Sequence, residues 1–176
     1  MDAVAVARQF AVNVFGPLAL TQLLLPGLRA RRGCVIWVGS LAGRIPLPFQ
    51  AHYSATKAAV ATISDAMRLE LRPHGVRVTC VEPSDFATAF TTARAVTVPA
   101  GSPYADVSRR CLREVEKQEN GAPDPDWVAR VIEKVARHRS PPARVPVGRN
   151  ARLICFLLGV LPAALAERMI AAHYKV

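Results

Sequence analysis

With 176 residues, of which 51% are hydrophobic, the chain is long enough to form one domain with a sizeable core. Its formal net charge of +10 suits an anionic partner such as nucleic acid, but the arginines are dispersed along the chain. Aromatic residues make up only 6% and do not alternate with basic residues as they do in nucleic-acid-binding surfaces. We therefore predict a solvated, arginine-rich surface. Binding to nucleic acid is the least favoured interpretation of the charge, and we do not expect it.

The four cysteines and four histidines do not have the spacing of a metal site. No two cysteines form a C-x-x-C pair, so the pattern indicates neither a zinc site nor a redox pair, and we predict no metal. Met1 is followed by an acidic residue rather than by the basic and apolar regions of a secretory signal. These features favour a reduced, cytoplasmic location.

The chain begins with a predicted helix over residues 3–30, where apolar residues recur at helical spacing. We expect an interruption near Gly16–Pro17 and an end at Pro26–Gly27, because proline removes a backbone donor and crowds the preceding turn. The further expected elements are a strand over 34–39, a helix over 53–72, a strand over 76–81, a polar helix over 104–119, a helix over 126–138, a strand over 143–147, and two short apolar helices within 150–172 that break at Pro162. Strands separated by helices are typical of a parallel α/β sheet, and the absence of repeats or linkers predicts a single domain over residues 1–176.

Two predicted loops follow the first two strands, over residues 40–50 and 83–98. In α/β sheets ligands bind outside the carboxyl ends of the strands, so these loops are expected to border the site. Their apolar side chains either line a substrate pocket or pack beneath a long loop, and the sequence does not decide between the two roles. The side chains concerned are Ile45, Leu47, Phe49, Phe86 and Phe90.

The apolar run Leu153–Ala166 spans fourteen residues and contains Gly159 and Pro162. A transmembrane helix needs about twenty apolar residues, so the run is too short to span a bilayer. The pattern favours a helix packed on the core or on a subunit partner. Peripheral membrane contact, with Arg149 and Arg152 at the lipid headgroups, is the less favoured alternative.

Tyr53 and Lys57 stand four positions apart in the predicted helix 53–72, so their side chains lie one turn apart on the same face. An unperturbed tyrosine has a pKa of about 10, and a nearby cation lowers it by favouring the phenolate. Such a phenol exchanges a proton at neutral pH. Ser40, after the strand 34–39, would bind the substrate oxygen where charge develops. The three side chains together predict proton transfer to or from an alcohol or carbonyl.

Asn13, Ser40, Tyr53 and Lys57, in this order and spacing, resemble the tetrad of the short-chain dehydrogenase/reductase family. Val81–Pro83 is similar to the end of the family's sixth strand, and the resemblance covers nearly the whole chain. It implies an α/β fold, namely the C-terminal catalytic portion of a partial Rossmann-type, doubly wound parallel sheet. It also implies NAD or NADP as the cofactor, without distinguishing between them.

The family's mechanism implies a role for each residue of the tetrad. Tyr53 would exchange the proton of a secondary alcohol or ketone, Lys57 would lower its pKa and hold the nicotinamide ribose, and Ser40 would orient the substrate oxygen. Asn13 would anchor a water in the proton relay. The run Gly43–Pro48 resembles the branch of the family that acts on steroids, retinoids and other lipophilic alcohols and ketones, so we expect a small lipophilic substrate.

The sequence departs from the family at the cofactor site. None of its ten glycines forms a G-x-G, so the glycine-rich turn that holds the pyrophosphate is absent, together with the N-terminal strands around it. After the second predicted strand, Pro83 and Thr88 match family positions near the nicotinamide, whereas Ser84 replaces the usual glycine. These three residues, with Tyr53 and Lys57, are the predicted cofactor contacts.

A complete family member would need roughly a further half-domain before residue 1, since each βαβ unit takes about thirty residues or more. We therefore expect a truncated, split or mispredicted product that binds no nicotinamide cofactor by itself and has an unpaired, association-prone edge at the strand 34–39. The family dimerises through the helices that match 3–30 and 53–72, so we expect a homo-oligomer. The alternative to an enzyme is a non-catalytic remnant or interaction module that keeps the tetrad by descent.

Overall fold

The computed structural model describes residues 2–88, 98–99 and 101–176. Three strands form a parallel sheet in the order β1-β2-β3, with β1 at Cys34–Val38, β2 at Arg77–Pro83 and β3 at Arg144–Val147. The register places Val35 opposite Val78 and Val81 opposite Val145. The parallel α/β sheet expected from the sequence is therefore confirmed, and its three strands fall within one to two residues of the predicted bounds.

The helices that connect and cover these strands also agree closely with the sequence pattern. They are α1 at Ala3–Phe10, a π-helical turn at Ala11–Phe15, α2 at Gly16–Ala30, α3 at Ala51–Leu71, α4 at Ala105–Asn120, α5 at Asp126–Arg137, α6 at Ala151–Val160 and α7 at Ala163–Tyr174. The break between α6 and α7 lies at Pro162, as predicted, because proline has no backbone N–H to continue the helix.

The end of the first long helix was predicted wrongly. Pro26 lies inside α2, which continues to Ala30 rather than ending at Pro26–Gly27. The helix ends where Arg32 takes a left-handed conformation (φ 47°) and Gly33 N–H donates to the carbonyl of Leu28 at 2.8 Å, a bond typical of a Schellman cap. The proline is tolerated because this side of the helix is exposed, so water satisfies the carbonyl that loses its donor.

The interruption expected near Gly16–Pro17 takes the form of the π-turn that precedes this pair. In a π-turn each backbone hydrogen bond spans five residues instead of four, so the turn holds one extra residue. The α-helix then resumes with Pro17 in its first turn, where a missing N–H is least costly. The helix therefore changes its hydrogen-bond pattern at this point without breaking.

The sheet is covered on both faces because its side chains alternate along each strand. On one face, Val78 and Cys80 of β2 pack with Trp37 of β1 and with Val60 and Met67 of α3. On the other face, Val81 and Val147 pack against Val128, Val131 and Ile132 of α5. The two clusters fix the carboxyl ends of β1 and β2 between α3 and α5.

Two apolar surfaces of the described residues remain exposed. One belongs to the segment Ala3–Ala30, which by length and composition alone is long and apolar enough to cross a membrane. Only 11% of its most apolar 18-residue stretch is buried. A helix that packs against another protein passes the same test, so length and composition do not decide its role. The other surface belongs to α6 and α7.

Candidate active site

Ser40 is placed at the carboxyl edge of the sheet by a close approach of β1 to β2. Gly39 N–H donates to the carbonyl of Val81 at 2.8 Å and extends the parallel pairing past β1. A Cβ on Gly39 would lie 2.7 Å from the Cys80 sulfur, so only glycine allows this approach. The Ser40 hydroxyl then accepts a hydrogen bond from the backbone N–H of Ala42 at 3.1 Å and caps the following short turn.

The loop that follows Ser40 packs directly on the backbone of α3. A Cβ on Gly43 would lie 2.8 Å from the carbonyl carbon and oxygen of Lys57, so this position has no room for a side chain. Ser54 of α3 holds the same loop, since its hydroxyl accepts from Leu47 N–H at 3.1 Å and donates to the carbonyl of Ile45 at 3.5 Å. These contacts fix Ser40 beside the first turns of α3.

Tyr53 and Lys57 occupy those first turns, as the four-residue spacing predicted. The Lys57 ammonium nitrogen lies 5.8 Å from the centroid of the Tyr53 ring and donates to the carbonyl of Val38 at 3.1 Å. Burial lowers the pKa of Lys57 below its ordinary value, and the neighbouring Cys80 partly offsets that effect. The lysine is thus held between the end of β1 and the tyrosine.

Ser40, Tyr53 and Lys57 line one cavity of about 690 Å³. The predicted cofactor contacts Pro83, Ser84 and Thr88 lie on the same cavity. The sequence did not indicate which elements form the opposite wall. That wall consists mainly of apolar side chains from α5, α6 and α7, including Val128, Ile132, Ile154, Leu157, Leu158 and Ile170. The cavity is consequently polar at the tyrosine and apolar over most of its remaining surface.

The apolar residues of the two loops have two roles in the structure, namely lining the cavity and packing against the core. Ile45, Leu47 and Phe86 line the cavity. Phe49 packs with the cluster around Cys111 of α4, where Ile45 and Leu47 also make contact. Phe90 lies outside the described residues. Pocket lining and ordinary packing are therefore both present in this loop.

Asn13 lies in the π-turn rather than on the cavity wall. Its side-chain amide donates to the Thr56 hydroxyl at 3.1 Å, and that hydroxyl donates to the carbonyl of Tyr53 at 2.7 Å. Thr56 is fully buried and Asn13 is half-buried, so the Thr56 end of the link is shielded from water. Asn13 is thus connected to the first turn of α3 through Thr56, and the water-anchoring role implied by the family stays a prediction.

Ser84, where the family usually has glycine, is accommodated by a glycine elsewhere. Its hydroxyl lies only 1.9 Å from where a Cβ on Gly148 would be, and Gly148 has a φ of +132° that favours glycine. The backbone N–H of Ser84 donates to the carbonyl of Val147 at 2.8 Å. The extra side chain thus fills space at the end of β3.

A buried glutamate connects the loop after Ser40 to the sheet, and sequence analysis missed this role. Glu82 of β2 is fully buried, and one of its carboxylate oxygens accepts from Nε and Nη2 of Arg44, both at 2.9 Å. The other oxygen accepts from Arg144 at 3.3 Å, and Arg144 also binds Asp65 of α3 at 2.6 Å. The hydrogen bond with Asp65 is the main reason why the pKa of Arg144 is raised. The signal in the sequence was a glutamate within an apolar strand.

Tyr174, at the end of α7, also lines the cavity. Burial raises its pKa above the ordinary value, and the nearby Asp85, Cys111 and Glu119 raise it further. Tyr174 therefore keeps its proton at neutral pH. Tyr53, in contrast, lies beside the Lys57 ammonium group.

Comparison with known proteins identifies similar sequences over much of the chain. Residues 1–98 match the sequence model of the family described as short chain dehydrogenase. A 3-ketodihydrosphingosine reductase of Bacteroides thetaiotaomicron is 37% identical over 146 residues, which cover 81% of this chain and 54% of that protein.

Two solved structures show the same fold over nearly the whole chain. A short-chain dehydrogenase from Streptomyces avermitilis superposes with a TM-score of 0.75 at 28% identity, covering 99% of this chain and 63% of that one. A second, from Burkholderia cenocepacia in complex with NADP, has a TM-score of 0.66 at 27% identity and covers 95% of this chain and 60% of that one. The chain thus spans roughly three fifths of the length of these proteins and aligns with their Rossmann-like fold.

Proposed function

The chain belongs to the short-chain dehydrogenase family, and on this premise we propose that it interconverts an alcohol and a ketone or aldehyde as an NAD(P)-dependent oxidoreductase. The observation that carries the proposal is the common cavity of Ser40, Tyr53 and Lys57. A general oxidoreductase role follows from family membership. The residue roles, the substrate class and the activity of this chain are our proposal.

Each of the three side chains has a task that follows from its surroundings. The Tyr53 hydroxyl exchanges the proton of the substrate oxygen. Lys57, held by the carbonyl of Val38, stabilises the phenolate by its positive charge. Ser40 donates a hydrogen bond to the substrate oxygen, so that charge developing there is stabilised in place.

A nicotinamide dinucleotide fits the described residues in part. Pro83, Ser84 and Thr88 border the cavity beside Tyr53 and Lys57, where a nicotinamide ring would lie against the sheet edge. When bound, that ring supplies or accepts the hydride, while the protein orients the substrate and handles the proton. The sequence contains no G-x-G turn for the pyrophosphate, so we still expect no micromolar binding of NAD or NADP by the 176-residue chain alone, and the test below supplies the dinucleotide in large excess.

The apolar walls of the cavity favour the proposal that the substrate is a small lipophilic molecule. Ile154, Leu157 and Leu158 of α6 and Ile45 and Leu47 of the loop after Ser40 present apolar surface to it. Burying a long alkyl group against such walls is favourable because apolar area leaves water. The similarity to a 3-ketodihydrosphingosine reductase agrees with this substrate class.

The alternative proposal is a non-catalytic module that pairs with a second copy through the helices around 3–30 and 53–72. The exposed side chains of the π-turn and α2 support it, since Phe15, Leu20, Leu23 and Leu24 are all more than half exposed. An apolar surface of this kind is unusual on a monomer and is typical of an interface. The pairing is compatible with catalysis, because the cavity lies at the carboxyl edge of the sheet.

The test compares Tyr53→Phe with Tyr104→Phe, measuring reduced-cofactor fluorescence with a long-chain secondary alcohol and NAD or NADP in excess. Tyr104 is the matched control because it lies at the start of α4, is exposed and does not line the cavity. We expect Tyr53→Phe to lose about a hundredfold or more of the rate, the usual contribution of a general acid–base group. Equal rates in both variants would refute the site assignment. No turnover together with no dinucleotide binding by calorimetry would favour the non-catalytic module.

A further inference from the structure

Helix α6 is apolar on two faces, and only one of them serves the cavity. Ile154, Leu157 and Leu158 point to the cavity. Leu153, Phe156 and Val160 form a second stripe at i, i+3 and i+7, and each is more than half exposed. A helix that is apolar all round is normally enclosed by protein or lipid. The outer stripe therefore requires an occupant.

Helix α7 adds to this exposed surface and connects it to the cavity. Leu165 and Met169 lie one turn apart, with exposures of 45% and 50%. Met169 also lines the cavity, so it lies where the cavity meets the surface. We name the exposed side chains Leu153, Phe156, Val160, Leu165 and Met169 the α6–α7 apolar patch.

Positive charge accompanies the patch. Arg149 and Arg152 lie at the start of α6 and Arg168 lies within α7, and all three are exposed. The only acidic side chain between residues 148 and 176 is Glu167, in a chain whose net charge is +10. Apolar side chains beside arginines match the two layers of an anionic membrane surface, namely acyl chains and negatively charged headgroups.

We propose that the α6–α7 apolar patch docks on the surface of an anionic lipid bilayer, so that lipophilic molecules reach the cavity from the membrane. The ten residues of α6 are too few to span a bilayer, and this excludes insertion of that helix across it. A second copy is a poorer occupant, because the same three arginines and single glutamate would border both sides of the contact, which would then lack charge complementarity. The route for the substrate rests on the proposed function, whereas the docking itself does not.

The experiment measures co-sedimentation of the 176-residue chain with phosphatidylcholine vesicles, with and without phosphatidylglycerol. The variant is Leu153→Ser with Phe156→Ser, and the matched control is Val4→Ser with Tyr104→Ser, which removes side chains that are also more than half exposed but lie outside α6 and α7. We expect the wild-type chain to prefer the anionic vesicles and to bind less as salt is added. The α6 variant should bind them roughly tenfold more weakly or worse, since burying each such side chain is strongly favourable. The control should bind like the wild-type chain.

The docking would be overturned if the wild-type chain did not bind anionic vesicles, or if the α6 variant and the control lost vesicle binding equally. It would also be overturned if the α6 variant bound vesicles like the wild-type chain but eluted as a smaller oligomer in size-exclusion chromatography, since the patch would then be a subunit contact. Far-UV circular dichroism verifies that both variants fold. Because vesicle binding needs neither dinucleotide nor turnover, a chain that binds vesicles but turns over no alcohol would contradict only the proposed function. Turnover of a short, water-soluble alcohol without vesicle binding would contradict only the docking.

Discussion

Replacing Glu82 by glutamine tests whether the buried ion pairs hold the loop after Ser40 on the sheet. Glutamine keeps the shape of the side chain but removes its charge, and its amide group directs donors at Arg44 or Arg144, which are themselves donors. Losing one partner of a buried pair costs about 3–5 kcal/mol. The two arginine side chains retain 28% and 25% exposure and regain some hydration, so we expect the lower end, about 3 kcal/mol.

The assay is urea unfolding followed by far-UV circular dichroism, with Glu133→Gln as the matched control. Glu133 pairs with Arg137 on the surface of α5, where their side chains are 62% and 79% exposed. Such a pair contributes less than about 0.5 kcal/mol. With a slope of about 2 kcal/mol per molar urea, Glu82→Gln should lower the midpoint by about 1.5 M and the control by less than about 0.3 M. Equal, small shifts in the two variants would refute the view that Glu82 anchors the loop.

Two further predictions concern stability and pH. Gly43→Ala should lower the free energy of unfolding by about 1–3 kcal/mol, because the new Cβ would lie 2.8 Å from backbone atoms of Lys57. Gly27→Ala should raise the free energy of unfolding by about 0.5–1 kcal/mol, because the position is inside a helix and no atom lies within 4 Å of the new Cβ. Thermal unfolding that changed the stability of both variants in the same direction would contradict the packing of the loop on α3. Since burial lowers the pKa of Lys57, the unfolded chain binds more protons than the folded chain just below pH 10.5, and stability rises with pH there. Urea midpoints at about pH 8 and 10 should show a steeper rise for the wild-type chain than for Lys57→Met, whereas identical slopes would mean that burial of this ammonium has no effect.

The sequence was sufficient for features that depend on neighbours along the chain. Each predicted strand and helix exists, because apolar periodicity and proline or glycine punctuation act locally. Tyr53 and Lys57 face the same cavity because a helix fixes the direction of side chains four residues apart. Ser40 joins them because the carboxyl ends of parallel strands meet at one edge.

Features that depend on contacts between distant segments could not be predicted from the sequence. Glu82 pairs with a residue 38 positions before it and another 62 positions after it, and no local pattern specifies such partners. The second apolar stripe of α6 looked like ordinary core packing, since composition does not tell a buried face from an exposed one. The end predicted at Pro26–Gly27 was wrong because Gly33, nearly two turns later, supplies the actual cap.

The π-turn at Ala11–Phe15 carries the signature of an inserted residue. Deleting Val12, whose side chain is exposed, would let the segment re-form as an uninterrupted α-helix with a regular ladder. Each residue of an α-helix turns the chain by about 100°, and the wider π-turn absorbs the rotation of its one extra residue, so α1 would keep roughly its present face toward α3 after the deletion. The change would be confined to the turn itself, where Asn13 lies. Irregular backbone at this point thus records a compromise between the best helix and the helix that lets Asn13 reach Thr56.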